Sequence, residues 1–175
     1  MTRFVTMIHV RAISPKLADG VLIAGNIRVP CKLGRSGVNS LKREGDGATP
    51  RGVWPLRRVL ARKESCRWPR TGLPFCFIAP DDGWCDDPLD RNYNRPVKLP
   101  YPASHERMWR HDRLYDIVVI LGHNDRPRSA GRGSAVFFHL ADPGGGTTAG
   151  CIAVAAGDMR KVLARCGPHT KLRVW

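Results

Sequence analysis

The sequence feature that most restricts the possible folds of this chain is a series of short β-prone runs separated by turn residues. Helical periodicity is absent from the opening stretch, where apolar runs at 4–10, 20–23 and 27–29 alternate with turn residues, as in a strand meander. The clearest strand is predicted at 115–121, whose continuous apolar centre indicates burial on both faces. Further strands are predicted at 53–60, 75–78, 134–140, 152–154 and 171–175. The pattern predicts a mainly β, mainly antiparallel domain with one or two short helices.

Two long loops and two short helices complete the predicted architecture. The loops span 34–52 and 81–102, which are dense in glycine, proline and polar residues, and loops of that length in compact domains usually carry function. One helix is predicted at 104–110, with Ser104 as its N-cap. The other is predicted at 158–166, ending before a Gly-Pro pair. Its apolar face would contain Met159, Val162 and Leu163.

The length of 175 residues fits a single domain spanning 1–175, because a core of this size can bury most of the apolar surface of the chain. Six cysteines occur, but no CxxC pair and no Cys/His cluster has zinc spacing, so no structural metal is predicted. All of the cysteines except Cys151 are interpreted as small buried apolar groups.

The first 25 residues hold several charged side chains, and their longest apolar run, 21–24, is too short for the hydrophobic region of a signal peptide. No segment approaches the length of a transmembrane helix. We therefore expect the chain as given to be cytoplasmic, or periplasmic if an export signal is missing from it.

The chain carries 29 lysines and arginines against 15 acidic residues, which gives a formal net charge of +14. A surface this positive attracts anionic partners. Nucleic acid is one candidate, and muropeptides, whose stem peptides carry several carboxylates, are another. No zinc-finger, KH or RRM signature is visible, so specific binding of nucleic acid is not predicted.

The segment 139–151 contains the residue types that a cysteine nucleophile needs. Such a nucleophile requires a base near the thiol and N–H donors for the oxyanion that develops on the attacked carbonyl. His139 ends a predicted buried strand, and a glycine-rich loop returns the chain so that Cys151 enters the next strand beside it. Gly150 leaves the backbone room to approach a substrate carbonyl. We therefore predict that Cys151 is a nucleophile and His139 its base, with Gly150 and Thr148 supporting the oxyanion site.

A strand-terminal histidine followed by [Ser/Thr]-x-Gly-Cys and an aliphatic residue resembles the signature of the YkuD family of L,D-transpeptidases. This chain has His139 and then Thr148-Ala149-Gly150-Cys151-Ile152. The resemblance extends upstream to Thr49-Pro50-Arg51-Gly52, which is similar to the TPxG segment of the family, and to its glycine-rich turn at 34–37. Segments similar to short single-domain members occur at 84–88, 92–94, 104–107 and 131–135.

The resemblance implies an all-β YkuD fold, of the antiparallel sandwich or barrel-like type, and an acyl-enzyme mechanism on peptidoglycan stem peptides. The cysteine would form a thioester with the acyl carbon of the diamino acid at stem position three, and D-alanine would leave. The acyl group would pass to the amine of a second stem or to water, and no metal or organic cofactor is implied. Candidate substrate-binding residues, for which turn formation or loop packing is the alternative role, are His123, Asn124, Tyr93 and Trp84.

Three departures from the family pattern concern the neighbourhood of the nucleophile. Ala149 stands where many members have histidine, Ala153 stands where arginine or asparagine is common, and the interval from His139 to Cys151 is short. Loss of the polar groups favours hydrolysis of the thioester, so the leading alternative is a cytoplasmic L,D-carboxypeptidase of muropeptide recycling. The alternative from another class is a non-catalytic basic module that binds nucleic acid or cell wall.

Overall fold

The structure, a computed structural model, describes residues 4–14, 18–64 and 69–175. Over these ranges the chain forms fourteen β-strands and one α-helix. The strands are β1 (Met7–Ala12), β2 (Asp19–Ala24), β3 (Ile27–Lys32), β4 (Val38–Asn39), β5 (Thr49–Pro50), β6 (Gly52–Ala61), β7 (Phe75–Phe77), β8 (Asp82–Cys85), β9 (Arg95–Lys98), β10 (His105–Arg107), β11 (Ile117–Leu121), β12 (Phe137–Leu140), β13 (Ile152–Val154) and β14 (Lys171–Val174). The helix is α1 (Ala156–Leu163). Cys66 lies outside the described residues.

Eight strands close into a barrel-like ring. The largest sheet has the order β11-β12-β13-β3-β2-β1-β14-β6-β7, and an additional pairing of β11 with β6 closes it. Strand β6 allows this closure because it is ten residues long: up to Pro55 it pairs with β14, and from Leu56 it pairs with β11. Most strand pairs are antiparallel, whereas β1–β14, β12–β13, β6–β7 and β4–β5 are parallel. The predicted mainly β, barrel-like fold is confirmed.

The side chains of β12 and β13 point alternately to the two faces of the sheet, and each face packs into a different hydrophobic cluster. Phe138 and Ile152 are fully buried in the main core, and burial of a side chain of this size stabilises a fold by about 1.5–3 kcal/mol. Phe137 and Cys151 face the other way, into a second cluster that contains Tyr115. The candidate nucleophile therefore lies on the outer face of strands whose inner face is anchored in the core.

A strand occupies the segment for which a helix was predicted at 104–110, so that prediction is wrong. Strand β10 pairs with β8, and β8 pairs with β9, in a separate three-stranded sheet. Both β8 and β9 lie in the segment 81–102, which was predicted to be a loop. Local propensity is a weak guide over three or four residues, and the hydrogen bonds supplied by a neighbouring strand override it.

Other element boundaries differ from the prediction by a few residues. Strand β12 begins at Phe137 rather than at residue 134, because Ala135 has a φ of 48°, which a strand does not permit. The segment 34–52 includes the two short strands β4 and β5. Helix α1 ends at Leu163 rather than at residue 166, and the residues of its predicted apolar face are all buried.

The cysteines differ in their exposure. Cys31, Cys85 and Cys166 are buried, as predicted, but Cys76 is exposed at strand β7, so the prediction is wrong for that residue. The five described cysteines are free thiols. In the described ranges, no helix has the length and apolar character needed to cross a membrane.

Candidate active site

Cys151 lies immediately before β13 and beside β12. Because these strands are parallel and pair Phe138 with Ile152, the residue before β13 falls next to Phe137. The Phe137 N–H donates to Sγ of Cys151 over 3.3 Å, and the thiol donates to the carbonyl oxygen of Ala135 over 3.3 Å. Two backbone groups thus fix the thiol, and only 7% of the residue is exposed.

His139 lies two residues beyond Phe137 on β12, so its side chain projects from the same face of the strand. Its Nδ1 is 2.8 Å from the carbonyl oxygen of Leu140. Since a carbonyl can only accept a hydrogen bond, Nδ1 carries the proton and Nε2 is left as the free base. The Tyr115 ring packs edge-on against the imidazole, with 5.2 Å between ring centroids, and restricts its orientation.

Burial sets the protonation state of this pair. It lowers the pKa of His139 from 6.5 to about 4, because the imidazolium would lose its hydration. It raises the pKa of the Cys151 thiol from 9.0 to about 12, and the nearby Glu106 carboxylate adds to this effect. At neutral pH the site therefore holds a neutral thiol and a neutral imidazole. A neutral pair of this kind is suited to proton transfer to the imidazole during attack rather than to reaction from a preformed ion pair.

Both side chains line one cavity of about 210 Å³. Three polar side chains of its wall are connected: Tyr115 donates to the Glu106 carboxylate over 2.5 Å, and Arg110 donates to it over 3.3 Å. Burial raises the pKa of Glu106. The other lining residues are Leu114, Ala135, Val136, Thr147, Thr148, Ala149 and Gly150.

Glu106, Arg110 and Tyr115 were not among the site residues predicted from the sequence. The first two fall within the helix predicted at 104–110, and the third falls within the buried strand predicted at 115–121. Packing of the β8–β9–β10 sheet against β12, through the rings of Trp84 and Phe137, brings Glu106 and Arg110 to the cavity. Tyr115 comes from the segment before β11. No local sequence pattern predicts this packing.

The turn before Cys151 depends on Gly150 and on two threonines. Gly150 has a φ of 134°, and a Cβ at this position would lie 2.8 Å from the carbonyl oxygen of Ala48, so only glycine fits. Thr148 donates to the Cys151 carbonyl over 2.7 Å, and Thr49 donates to the same oxygen over 3.2 Å. The Thr148 hydroxyl also accepts from the Gly150 N–H over 3.2 Å. Thr148 therefore supports the shape of the turn.

Two of the four candidate substrate-binding residues hold a loop together outside the cavity. His123 is buried, and its Nε2 donates to the carbonyl oxygen of Arg132 over 3.0 Å. The amide of Asn124 donates to the carbonyl oxygens of Ser129 and Gly133 over 2.9 and 3.0 Å. These bonds fasten the arginine-rich loop that follows β11.

The other two candidates also lie outside the cavity. Tyr93 is buried and donates to the Glu44 carboxylate over 2.5 Å. Trp84 donates to Asn94 over 2.9 Å, and its ring packs edge-on against Phe137 with 5.2 Å between centroids. None of these four residues lines the cavity, although Trp84 packs against the cluster that contains Cys151, and a direct contact with substrate stays a prediction for each of them.

Fold and site together define a mainly β, barrel-like protein with a buried cysteine–histidine pair in a small cavity lined by both apolar and polar side chains. In the part of the chain that the structure describes, no group of three or more His, Cys, Asp or Glu side chains is arranged to hold a metal ion.

Comparison with known proteins identifies the family to which the chain belongs. The family model of YkuD, the L,D-transpeptidase catalytic domain, matches residues 18–174. No curated protein and no solved structure gives a significant match. The chain belongs to the YkuD family, and this membership implies a cysteine-dependent L,D-transpeptidase type of activity on peptidoglycan.

Proposed function

We propose that Cys151 attacks the stem-peptide carbonyl between the diamino acid at position three and D-alanine, with His139 as the general base. The observation that best supports this is the shared cavity, into which the thiol and the imidazole both open. The hydrogen bond from Nδ1 to the Leu140 carbonyl leaves Nε2 as the basic nitrogen.

The neutral state of both groups defines the path of the proton. Nε2 of His139 takes the thiol proton as the bond from Sγ to the carbonyl carbon forms, and an oxyanion develops. The N–H groups of Thr148 and Gly150 already donate to the Leu33 carbonyl and to the Thr148 hydroxyl, so those of Ala149 and Cys151 are the candidates in this turn to stabilise the oxyanion. The imidazolium then gives its proton to the nitrogen of D-alanine as the C–N bond breaks, which leaves a thioester on Cys151. Water or an amine, deprotonated by His139, attacks the thioester and restores the thiol.

The guanidinium of Arg110 has N–H groups that could bind an anionic group of the substrate. Nε and Nη2 donate to Asp112, and Nη1 donates to Glu106. Since a guanidinium has five N–H groups, one remains on each terminal nitrogen. The terminal carboxylate of D-alanine is the part of the stem that matches such a pair of donors. The net charge of +14 adds attraction at longer range.

We further propose that water is the main acceptor, which would make the protein an L,D-carboxypeptidase. Ala149 is exposed in the cavity wall and offers no polar group to an incoming amine, and Ala153 is buried opposite His139 in the strand register. The cavity is smaller than the roughly 300–1,000 Å³ of pockets for drug-sized ligands, so the donor stem leaves little room for a second stem. Without a positioned amine, water at about 55 M is favoured.

A product assay tests both proposals. The protein is incubated with a disaccharide tetrapeptide, with Cys151→Ala as the matched control, and the products are identified by mass. We expect tripeptide and D-alanine as the main products. A cross-linked dimer as the main product would refute hydrolysis, and the absence of both products from a folded protein would refute acyl transfer.

A carboxypeptidase that trims recycled tetrapeptides meets its substrate in the cytoplasm, and we propose that this protein acts there. Fractionation of cells that produce the protein from its own gene, followed by antibody detection, measures its location. Recovery in the periplasmic fraction would contradict this proposal and leave the acyl-transfer chemistry untouched.

A further inference from the structure

A buried lysine lies behind the nucleophile turn, in a segment that the acyl-transfer mechanism does not use. Lys42 is only 7% exposed, and it is not part of the cavity wall. A Cβ built on Gly150 would lie 3.2 Å from its Nζ, and a Cβ built on Gly133 would lie 3.0 Å from its Cε. These two glycines leave the space in which the ammonium sits next to the residue that precedes Cys151.

Asp46 holds this ammonium in place. Its carboxylate pairs with Lys42 and accepts from the backbone N–H groups of Arg43 and Ala48, each over 2.9 Å. Burial alone would raise the pKa of Asp46, but the hydrogen bonds from Lys42 and from these two N–H groups lower it, so the carboxylate is charged at neutral pH. The pair is a fixed dipole whose positive end lies against the nucleophile turn.

Glu44 ties the same segment to the other side of the thiol. Its carboxylate accepts from the Tyr93 hydroxyl over 2.5 Å and from the Ser134 hydroxyl over 2.8 Å. Ser134 precedes Ala135, whose carbonyl accepts the hydrogen bond of the Cys151 thiol. The segment that carries Lys42 is thereby fixed relative to the thiol from two directions.

We propose that Lys42 is a positioning residue for the nucleophile: its buried cation favours the thiolate of Cys151 and the oxyanion formed on its substrate, and Asp46 limits how strongly it acts. The role in turnover rests on the proposed function, whereas the effect on the thiol needs no substrate.

The charged groups around the thiol have opposite effects on its ionisation. Glu106 disfavours the thiolate, whereas Lys42 and Arg110 favour it. Arg110 pairs with Glu106 of the cavity wall and with Asp112, whereas Lys42 lies behind the turn. Other titratable groups near the thiol or near Lys42 are Tyr115, His139 and His123, and all three are uncharged at neutral pH because burial raises the pKa of the tyrosine and lowers that of the histidines.

The test measures the rate at which iodoacetamide alkylates Cys151 between about pH 6 and 9, read from the mass of the peptide that contains it. Lys42→Met removes the charge with little change in shape and should slow alkylation about three- to tenfold, as expected if the thiol pKa rises by about one. Asp46→Asn leaves the Lys42 charge uncompensated and should accelerate alkylation by a similar factor. The double variant should lie between the two.

Opposite shifts would support the proposal, because damage to the turn would change both variants in the same direction. Two rates that fall together, or two unchanged rates, would overturn it. If Lys42→Met does not fold, Asp46→Asn decides alone, and a rate at or below that of the wild type overturns the proposal. Lys161→Met, which removes an exposed ion-paired lysine from α1, should leave the rate unchanged. If the two variants change the alkylation rate as expected but the wild-type protein forms no tripeptide, the proposed function is contradicted and the proposal for Lys42 is not.

Discussion

Acidification should destabilise the folded state through His139. Burial lowers the pKa of this residue to about 4 in the folded protein, whereas the unfolded chain has the ordinary value of about 6.5. Between these pH values the unfolded chain binds a proton that the folded protein does not bind, so stability is intact above about pH 6.5 and falls as the pH drops toward 4. At about 1.4 kcal/mol per pH unit of pKa difference, the loss is about 3 kcal/mol. Only 6% of His139 is exposed, so solvent screening reduces this little.

Urea unfolding between about pH 7 and 4 measures this loss when the wild type is compared with His139→Gln. Glutamine can still donate to the Leu140 carbonyl but does not titrate. His123 and the carboxylates titrate in both proteins, so the difference between the two curves isolates His139. The free energy of unfolding of the wild type should fall by about 3 kcal/mol more than that of the variant. Parallel curves would refute the reasoning that burial keeps His139 neutral.

Three further predictions concern turnover. Cys151→Ala should abolish tripeptide formation because no acyl-enzyme can form, while Cys85→Ala should retain activity; the reverse outcome would contradict the assignment of the nucleophile. His139→Ala should slow acylation by about 10²–10⁴-fold, measured by mass spectrometry of samples quenched in acid at successive times, and a wild-type rate would show that another group is the base. Ala149→His should raise the ratio of D-methionine exchange product to tripeptide at fixed D-methionine concentration, and an unchanged ratio would exclude residue 149 from acceptor binding.

Local periodicity was sufficient to predict most of the strands. The continuous apolar run that becomes β11 is buried at every position, as expected for a strand covered on both faces. The closure of the ring was not predictable in this way, because β6 pairs with β14 over one part and with β11 over the other. A period of two residues specifies which face is buried but not which strand is the neighbour.

The nucleophile and its base were predictable because both lie in one segment whose residue types and turn chemistry are specific. The parallel pairing of β12 with β13 then brings Cys151 to the same face as His139. Lys42 and Glu106 come from distant segments, and only the packing of the 42–48 loop and of β10 brings them near the thiol. In a chain of net charge +14, the local sequence does not distinguish a buried lysine from a solvent-exposed one.

The most direct test of the central claim is the isolation of the acyl-enzyme. The protein is mixed with a disaccharide tetrapeptide, quenched in acid, and digested for peptide mapping by mass spectrometry. The mechanism predicts a hydroxylamine-labile adduct of the disaccharide tripeptide acyl group on the peptide that contains Cys151, absent from Cys151→Ala. Tripeptide formation at an undiminished rate by Cys151→Ala, or an adduct on a different cysteine in the wild type, would contradict it.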